Sequence, residues 1–240
     1  MKPKAVIFDL DGVLTDTVEY HYISWKEAVE PYGIPFVRED NESLLGLTRR
    51  QSLEVILGDR KLDEKTKLRI LAVINENFLK SVRNMSPQDV LPGVDRLLGE
   101  LRLARTKIAV ASASRNAKIV LEQLGLASSI DVIVDSSMVR KSKPAPDVFL
   151  NAAGALNENP KTCLVVEDSR AGVDAALRAG MCVVGIGLES RLKEAHSVFP
   201  SLISVHREQL VEAYEHWINR IEYDLAGSDT SSGNATGRNK

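Results

Sequence analysis

The chain of 240 residues holds two cysteines and no long apolar run. Two cysteines make no disulfide framework, and Cys163 and Cys182 both fall inside apolar stretches that read as buried strands, so buried free thiols are expected. An excess of one charge is also missing. The 31 basic residues nearly match the 33 acidic ones, for a formal net charge of -2, which removes the electrostatic ground for nucleic acid or an anionic membrane as partner. The amino terminus passes from Met1-Lys2-Pro3-Lys4 directly into Ala5 to Phe8. That run is too short for a signal-peptide core or a membrane span, and no other stretch qualifies either. A cytoplasmic protein, monomeric by default and acting on a small soluble partner, is expected.

Hydrophobic residues make up 44% of the chain, enough to fill a proper interior. Five short runs rich in Val and Ile recur between helical patterns: Ala5 to Phe8, Lys107 to Ala111, Val132 to Val134, Cys163 to Val166 and Cys182 to Ile186. Helical spacing follows from Ala117 to Leu124 and from Gly172 to Ala179, with Gly125 and Gly180 placed as helix stops. Alternation of this kind predicts an α/β fold, a doubly wound Rossmann-like parallel sheet.

The gap between the first two runs is far longer than a crossover helix needs, and its pattern is helical. Val18, Tyr22, Trp25 and Val29 form one stripe, and further helical patterns cover roughly Arg50 to Leu57 and Glu64 to Phe78. The expected organisation is a catalytic core of residues 1–15 and 86–222, an inserted helical cap of residues 16–85, and a disordered tail of residues 223–240. A cap on two connections can swing and exclude water from a reaction.

In an open α/β sheet, ligands bind beyond the carboxyl ends of the strands. Here the first run ends in Asp9-Leu10-Asp11-Gly12, the second in Ser112-Ala113-Ser114 and the fourth in Glu167-Asp168-Ser169. Carboxylates gathered at one edge would raise one another's pKa values unless a cation sat among them. A hard divalent ion, with a phosphate completing its shell, answers that need, and magnesium is the usual choice. Asp9 and Asp168 are the expected ligands, with Glu167 as a third. Asp9 could then accept a phosphoryl group while Asp11 moves protons. Ser112 could offer its hydroxyl to the phosphate, and Lys143, in Ser142-Lys143-Pro144-Ala145-Pro146 with its two stiffening prolines, could neutralise both Asp9 and a phosphate oxygen. Each residue alone also fits a plain role: a turn cap for the Asp pair, a helix cap for Ser112 or Asp168, a surface position for Lys143. Four strand ends supplying the right residue type together favour the phosphoryl-transfer reading.

These four motifs, Asp9-Leu10-Asp11-Gly12-Val13, Ser112, Lys143 and Glu167-Asp168, resemble those of the haloacid dehalogenase superfamily of phosphotransferases. Within it, three further segments are similar to the β-phosphoglucomutase branch. They are Thr15-Asp16-Thr17 with Glu19-Tyr20-His21 and Trp25; Gly46-Leu47-Thr48-Arg49-Arg50-Gln51-Ser52; and Ser112-Ala113-Ser114-Arg115-Asn116. The resemblance implies interconversion of β-D-glucose 1-phosphate and D-glucose 6-phosphate, with Mg2+ and with glucose 1,6-bisphosphate as primer and intermediate. It implies Asp9, Asp11, Glu167 and Asp168 around the metal and Asp9, Asp11, Ser112 and Lys143 as catalytic residues. For the substrate it implies Thr17, His21, Trp25, Gly46, Arg49, Ser52, Ala113, Ser114, Arg115 and Asn116, with Arg49 holding a distal phosphate and Arg50 competing for that assignment. One departure stands out: where this branch offers a cap lysine, the sequence reads Ala72-Val73-Ile74-Asn75, and Asn75 could substitute as a donor. A phosphatase using the same Asp9 and Asp11, or a non-catalytic sugar-phosphate sensor, is the competing reading.

Overall fold

The computed structural model describes residues 1–44 and 47–229. Six strands form one parallel sheet: β1 (Ala5–Phe8), β2 (Lys107–Ala111), β3 (Val132–Val134), β4 (Cys163–Glu167), β5 (Cys182–Ile186) and β6 (Ser197–Phe199), in the order β3-β2-β1-β4-β5-β6. The first five are the five apolar runs. β6 lies at the sheet's edge, and its three partly exposed residues make no apolar run to read.

Side chains of β1 alternate between two apolar clusters, Val6 and Phe8 in one, Ala5 and Ile7 in the other. That is the period of a strand covered on both faces. Phe8 lies opposite Val110 of β2 and Val166 of β4. The register therefore brings the next residues, Asp9, Ala111 and Glu167, to one edge in adjacent rows, with neighbouring strands about 4.8 Å apart.

The helices are α1 (Val18–Val29), α2 (Arg38–Glu42), α3 (Arg49–Leu57), α4 (Glu64–Val82), α5 (Val94–Leu103), α6 (Ala117–Gln123), α7 (Asp147–Ala155), α8 (Arg170–Arg178), α9 (Glu189–Leu192) and α10 (Arg207–Asp229). Gly125 and Gly180, the expected stops after α6 and α8, have φ of 73° and 71°. Among the described residues no helix is long and apolar enough to cross a membrane. Both cysteines are buried and free. α10 continues to Asp229, so the first part of the stretch expected to be a disordered tail is helical. The remainder of that stretch, 230–240, lies outside the described residues.

Helices α1 to α4 enclose a third apolar cluster whose buried members run from Tyr22 to Ile74. α4 buries one stripe, Ile70, Ile74, Phe78 and Val82. Ile70 and Ile74 belong to the cap cluster, whereas Phe78 and Val82 pack into the cluster under the sheet. The two chain connections run side by side: Leu91 N donates to Leu14 O at 2.9 Å, and Thr15 Oγ1 to Asp89 O at 2.8 Å.

Candidate active site

At the carboxyl edge of the sheet, Lys143 Nζ donates to Asp9 Oδ1 at 2.8 Å and to Glu167 Oε1. All three side chains are almost wholly buried. Burial alone would lower the Lys143 pKa, but Asp9 and Glu167 outweigh it and hold the ammonium above its ordinary range. The other oxygen of Glu167, Oε2, accepts from Ser169 N at 2.8 Å and Ser169 Oγ at 3.0 Å. Both oxygens of Glu167 are thus engaged by protein donors.

Asp9, Glu167 and Asp168 each place a carboxylate oxygen within 4.8 Å of the others. Burial and the neighbouring Glu167 and Asp9 charges push Asp168 up to about 9. Burial also raises Asp9 to about 7, against the Lys143 attraction. Asp11 is not in this cluster; its Oδ1 accepts from Thr17 Oγ1. Gly12 turns against the same edge with φ of 81°, and a Cβ there would stand 2.0 Å from Asp168 Oδ2. The turn at Gly12 thus leaves room for Asp168.

The cluster opens into a cavity of about 620 Å³ lined from the core by Asp9, Asp11, Asp168, Ala113, Ser114, Arg115 and Asn116, and from the cap by Thr17, His21, Trp25, Arg49, Ser52 and Asn75. Ser112, Lys143 and Glu167 lie behind this wall, fully or almost fully buried. Ser112 Oγ accepts from Ser114 N at 3.0 Å. His21 stacks on Phe78 with ring centroids 4.4 Å apart, and burial lowers its pKa against the pull of Asp11. Trp25 is both a member of the cap cluster and part of the lining.

Arg49 sits at the start of α3, whose Thr48 cap and Gln51 form a capping box. Its Nη1 donates to Asn75 Oδ1, while its Nη2 is buried without a hydrogen-bond partner. Burial lowers its pKa to about 10. Arg50 instead pairs with Glu64 at 2.6 Å on the exposed cap surface. Both arginines border the cavity, and they differ in burial and in partner. Gly46 lies outside the described residues. Ile74, where a cap lysine was sought, is fully buried in the cap cluster, and Ala72 and Asn75 face the cavity instead.

A family model described as haloacid dehalogenase-like hydrolase matches residues 6–186. The chain belongs to the haloacid dehalogenase-like hydrolase family. Among relatives, it is 40% identical to a β-phosphoglucomutase of Bacillus subtilis over 89% of this chain and 96% of that one. It is 33% identical to a phosphorylated carbohydrates phosphatase of Thermotoga maritima, over 74% of this chain and 82% of that one. The crystal structure of β-phosphoglucomutase from Clostridium difficile superposes with a TM-score of 0.87 at 37% identity, covering 91% of this chain and 99% of that one.

A divalent cation fits the haloacid dehalogenase-like edge found here. The three clustered carboxylates include two, Asp9 and Asp168, whose raised pKa values express the charge that an ion would offset. Three residues at this edge or cavity were not singled out from sequence. Ser169 and Gly172 support Glu167, Gly172 so closely that a Cβ would stand 1.7 Å from Oε1. Ser136 joins the cavity lining. Ser169 stands in a strand-end segment beside two carboxylates that mask it, and Gly172 and Ser136 carry no strand-end signal.

Proposed function

We propose that this chain is a β-phosphoglucomutase, interconverting β-D-glucose 1-phosphate and D-glucose 6-phosphate in the cytoplasm as a monomer, with residues 16–85 serving as a cap over a core of residues 1–15 and 86–222. One observation carries the choice of a mutase over a phosphatase. The cavity offers a second place for an anion at Arg49, whose Nη2 is unpartnered, besides the edge where Asp9 and Lys143 meet. A substrate with phosphates at two ends needs both sites; a simple hydrolysis needs one.

In this reading Asp9 Oδ attacks one phosphorus of the glucose 1,6-bisphosphate primer, the P–O bond to the sugar breaks, the leaving sugar oxygen takes a proton from Asp11, and Asp9 becomes an aspartyl phosphate. The C6 hydroxyl of β-glucose 1-phosphate then attacks that phosphorus while Asp11 takes its proton, giving glucose 1,6-bisphosphate and free Asp9. After the bisphosphate turns round, Asp9 attacks the C1 phosphate and Asp11 returns the proton to the leaving C1 oxygen, which yields glucose 6-phosphate. Lys143 neutralises Asp9 and the transferred oxygens, and Ser112 helps bind them. Mg2+, held by Asp9 and Asp168, supplies charge stabilisation to the transferring phosphoryl group when bound. Thr17 and His21 position Asp11, linking its placement to cap closure. Arg49, Ser114, Arg115 and Asn116 hold the distal phosphate, and Trp25 and Ser52 contact the sugar with the Gly46 segment. The closed cap keeps water from the aspartyl phosphate.

The test supplies β-glucose 1-phosphate, Mg2+ and a trace of glucose 1,6-bisphosphate, and follows glucose 6-phosphate and inorganic phosphate separately. Glucose 6-phosphate should accumulate with little free phosphate, and Asp9→Asn should abolish both. Rapid phosphate release without isomerisation would replace the mutase with a phosphatase.

A further inference from the structure

The cap and the core meet across the cavity at Asn75. Its single Oδ1 accepts from Arg49 Nη1, on the cap helix α3, and from Asn116 Nδ2, on the core, at 3.2 Å. Two donors that approach from opposite sides of the cleft thus converge on one neutral oxygen. Both are donors that the reading above gives to the distal phosphate. Among the described residues no carboxylate hydrogen-bonds to Arg49: Asp11 attracts it only through space, Arg115 repels it, and its second terminal guanidinium nitrogen is buried without a partner. The same face of α4 otherwise offers Leu68, Leu71 and Ala72 to the cavity, and Ile74 turns away into the cap cluster. Asn75 is therefore the polar group that α4 brings to the cavity.

We propose that Asn75 is a positioning and specificity residue for the distal phosphate, whose carboxamide Oδ1 takes the place of a phosphate oxygen between Arg49 and Asn116 and which turns to donate when the phosphate arrives. A carboxamide suits this because its two ends differ. The Oδ1 face keeps Arg49 and Asn116 aimed at one point; the Nδ2 face can serve the incoming oxygen, whereas an Oδ1 left facing it would be lone pair against lone pair. A lysine at this level would supply a permanent charge instead, so the cap of this chain reads the phosphate with a neutral, reversible group beside Arg49.

This inference rests on the mutase reading for the identity of the phosphate, but not for its existence, and the experiment separates the two. Asn75→Asp keeps the shape and installs an internal anion for Arg49 and Asn116. It should raise the Tm of the ligand-free protein and raise KM for β-glucose 1-phosphate about tenfold or more, with kcat reduced much less, because a resident carboxylate competes with phosphate for the same donors. Asn75→Ala removes both faces and should raise KM by about threefold to tenfold while lowering Tm. If wild-type protein does not isomerise glucose phosphates, the mutase reading fails, and inorganic phosphate binding followed by calorimetry decides this one: Asn75→Asp should weaken it by about tenfold. Phosphate affinity or KM within twofold of wild type in Asn75→Asp, with an unchanged Tm, would overturn the role of Asn75. A fall in kcat with KM unchanged would also overturn it, since that pattern marks general damage to the site.

Discussion

Gly172 lies against Glu167 so tightly that a Cβ on Gly172 would stand 1.7 Å from Oε1 and 1.9 Å from the carboxyl carbon. No side chain other than hydrogen fits there without moving a fully buried carboxylate. That carboxylate holds Lys143 on one oxygen and Ser169 on the other. The first turn of α8 thus fixes, through one glycine, the cation beside Asp9. Glu167 acts in this geometry chiefly as the anchor of Lys143.

Gly172→Ala is therefore expected to destabilise the protein by about 1–3 kcal/mol, the usual cost of overpacking a filled interior. It should also lower turnover, because a displaced Glu167 carries Lys143 away from Asp9. Denaturant unfolding and steady-state kinetics on the same preparation check both parts. Native stability with native turnover would show that α8 can slide without disturbing the pair.

The two adjacent arginines should behave oppositely. Arg49→Ala removes a cavity guanidinium and is expected to depress mutase turnover far more than hydrolysis of p-nitrophenyl phosphate, which has no distal phosphate. Arg50→Ala removes an exposed, solvent-screened pair with Glu64 and should raise KM far less than Arg49→Ala does. Equal losses on both substrates for Arg49→Ala would remove Arg49 from the distal site.

Metal binding should depend on pH in a direction that follows from the raised carboxylates. Asp9 is moved from an ordinary 3.8 to about 7 and Asp168 to about 9, by burial first. The metal-free folded protein therefore holds more protons than the unfolded chain between those limits, and its stability falls as pH rises through them. Mg2+ must displace the protons, so its affinity should rise from pH 6 to pH 9 with protons released on binding. Calorimetry in buffers of differing ionisation enthalpy measures the release, and Tm with and without Mg2+ should diverge toward high pH. A pH-independent affinity would contradict the assignment of Asp9 and Asp168 as ligands.

The alternation of apolar and polar residues is a local property, and it was sufficient to locate β1 to β5, the helical insertion and the strand-end residues Asp9, Ser112 and Glu167-Asp168. Strands covered on both faces must be written almost wholly in apolar residues, and their polar ends then mark the edge where ligands bind. The short edge strand β6 and the helical continuation of α10 to Asp229 carry no such mark. The family resemblance put Arg49 ahead at the distal phosphate but left Arg50 competing for that place. Only the tertiary structure separated them, by burying one beside Asn75 and tying the other to Glu64 at the surface. It likewise decided that Ile74 serves the cap's interior, that Asn75 spans the cleft, and that Gly172 backs Glu167. The reason is the same in each case. Asn75 and Asn116, like Lys143 and Asp9, are distant along the chain, and their contact depends on strand register and cap closure, which no local pattern encodes.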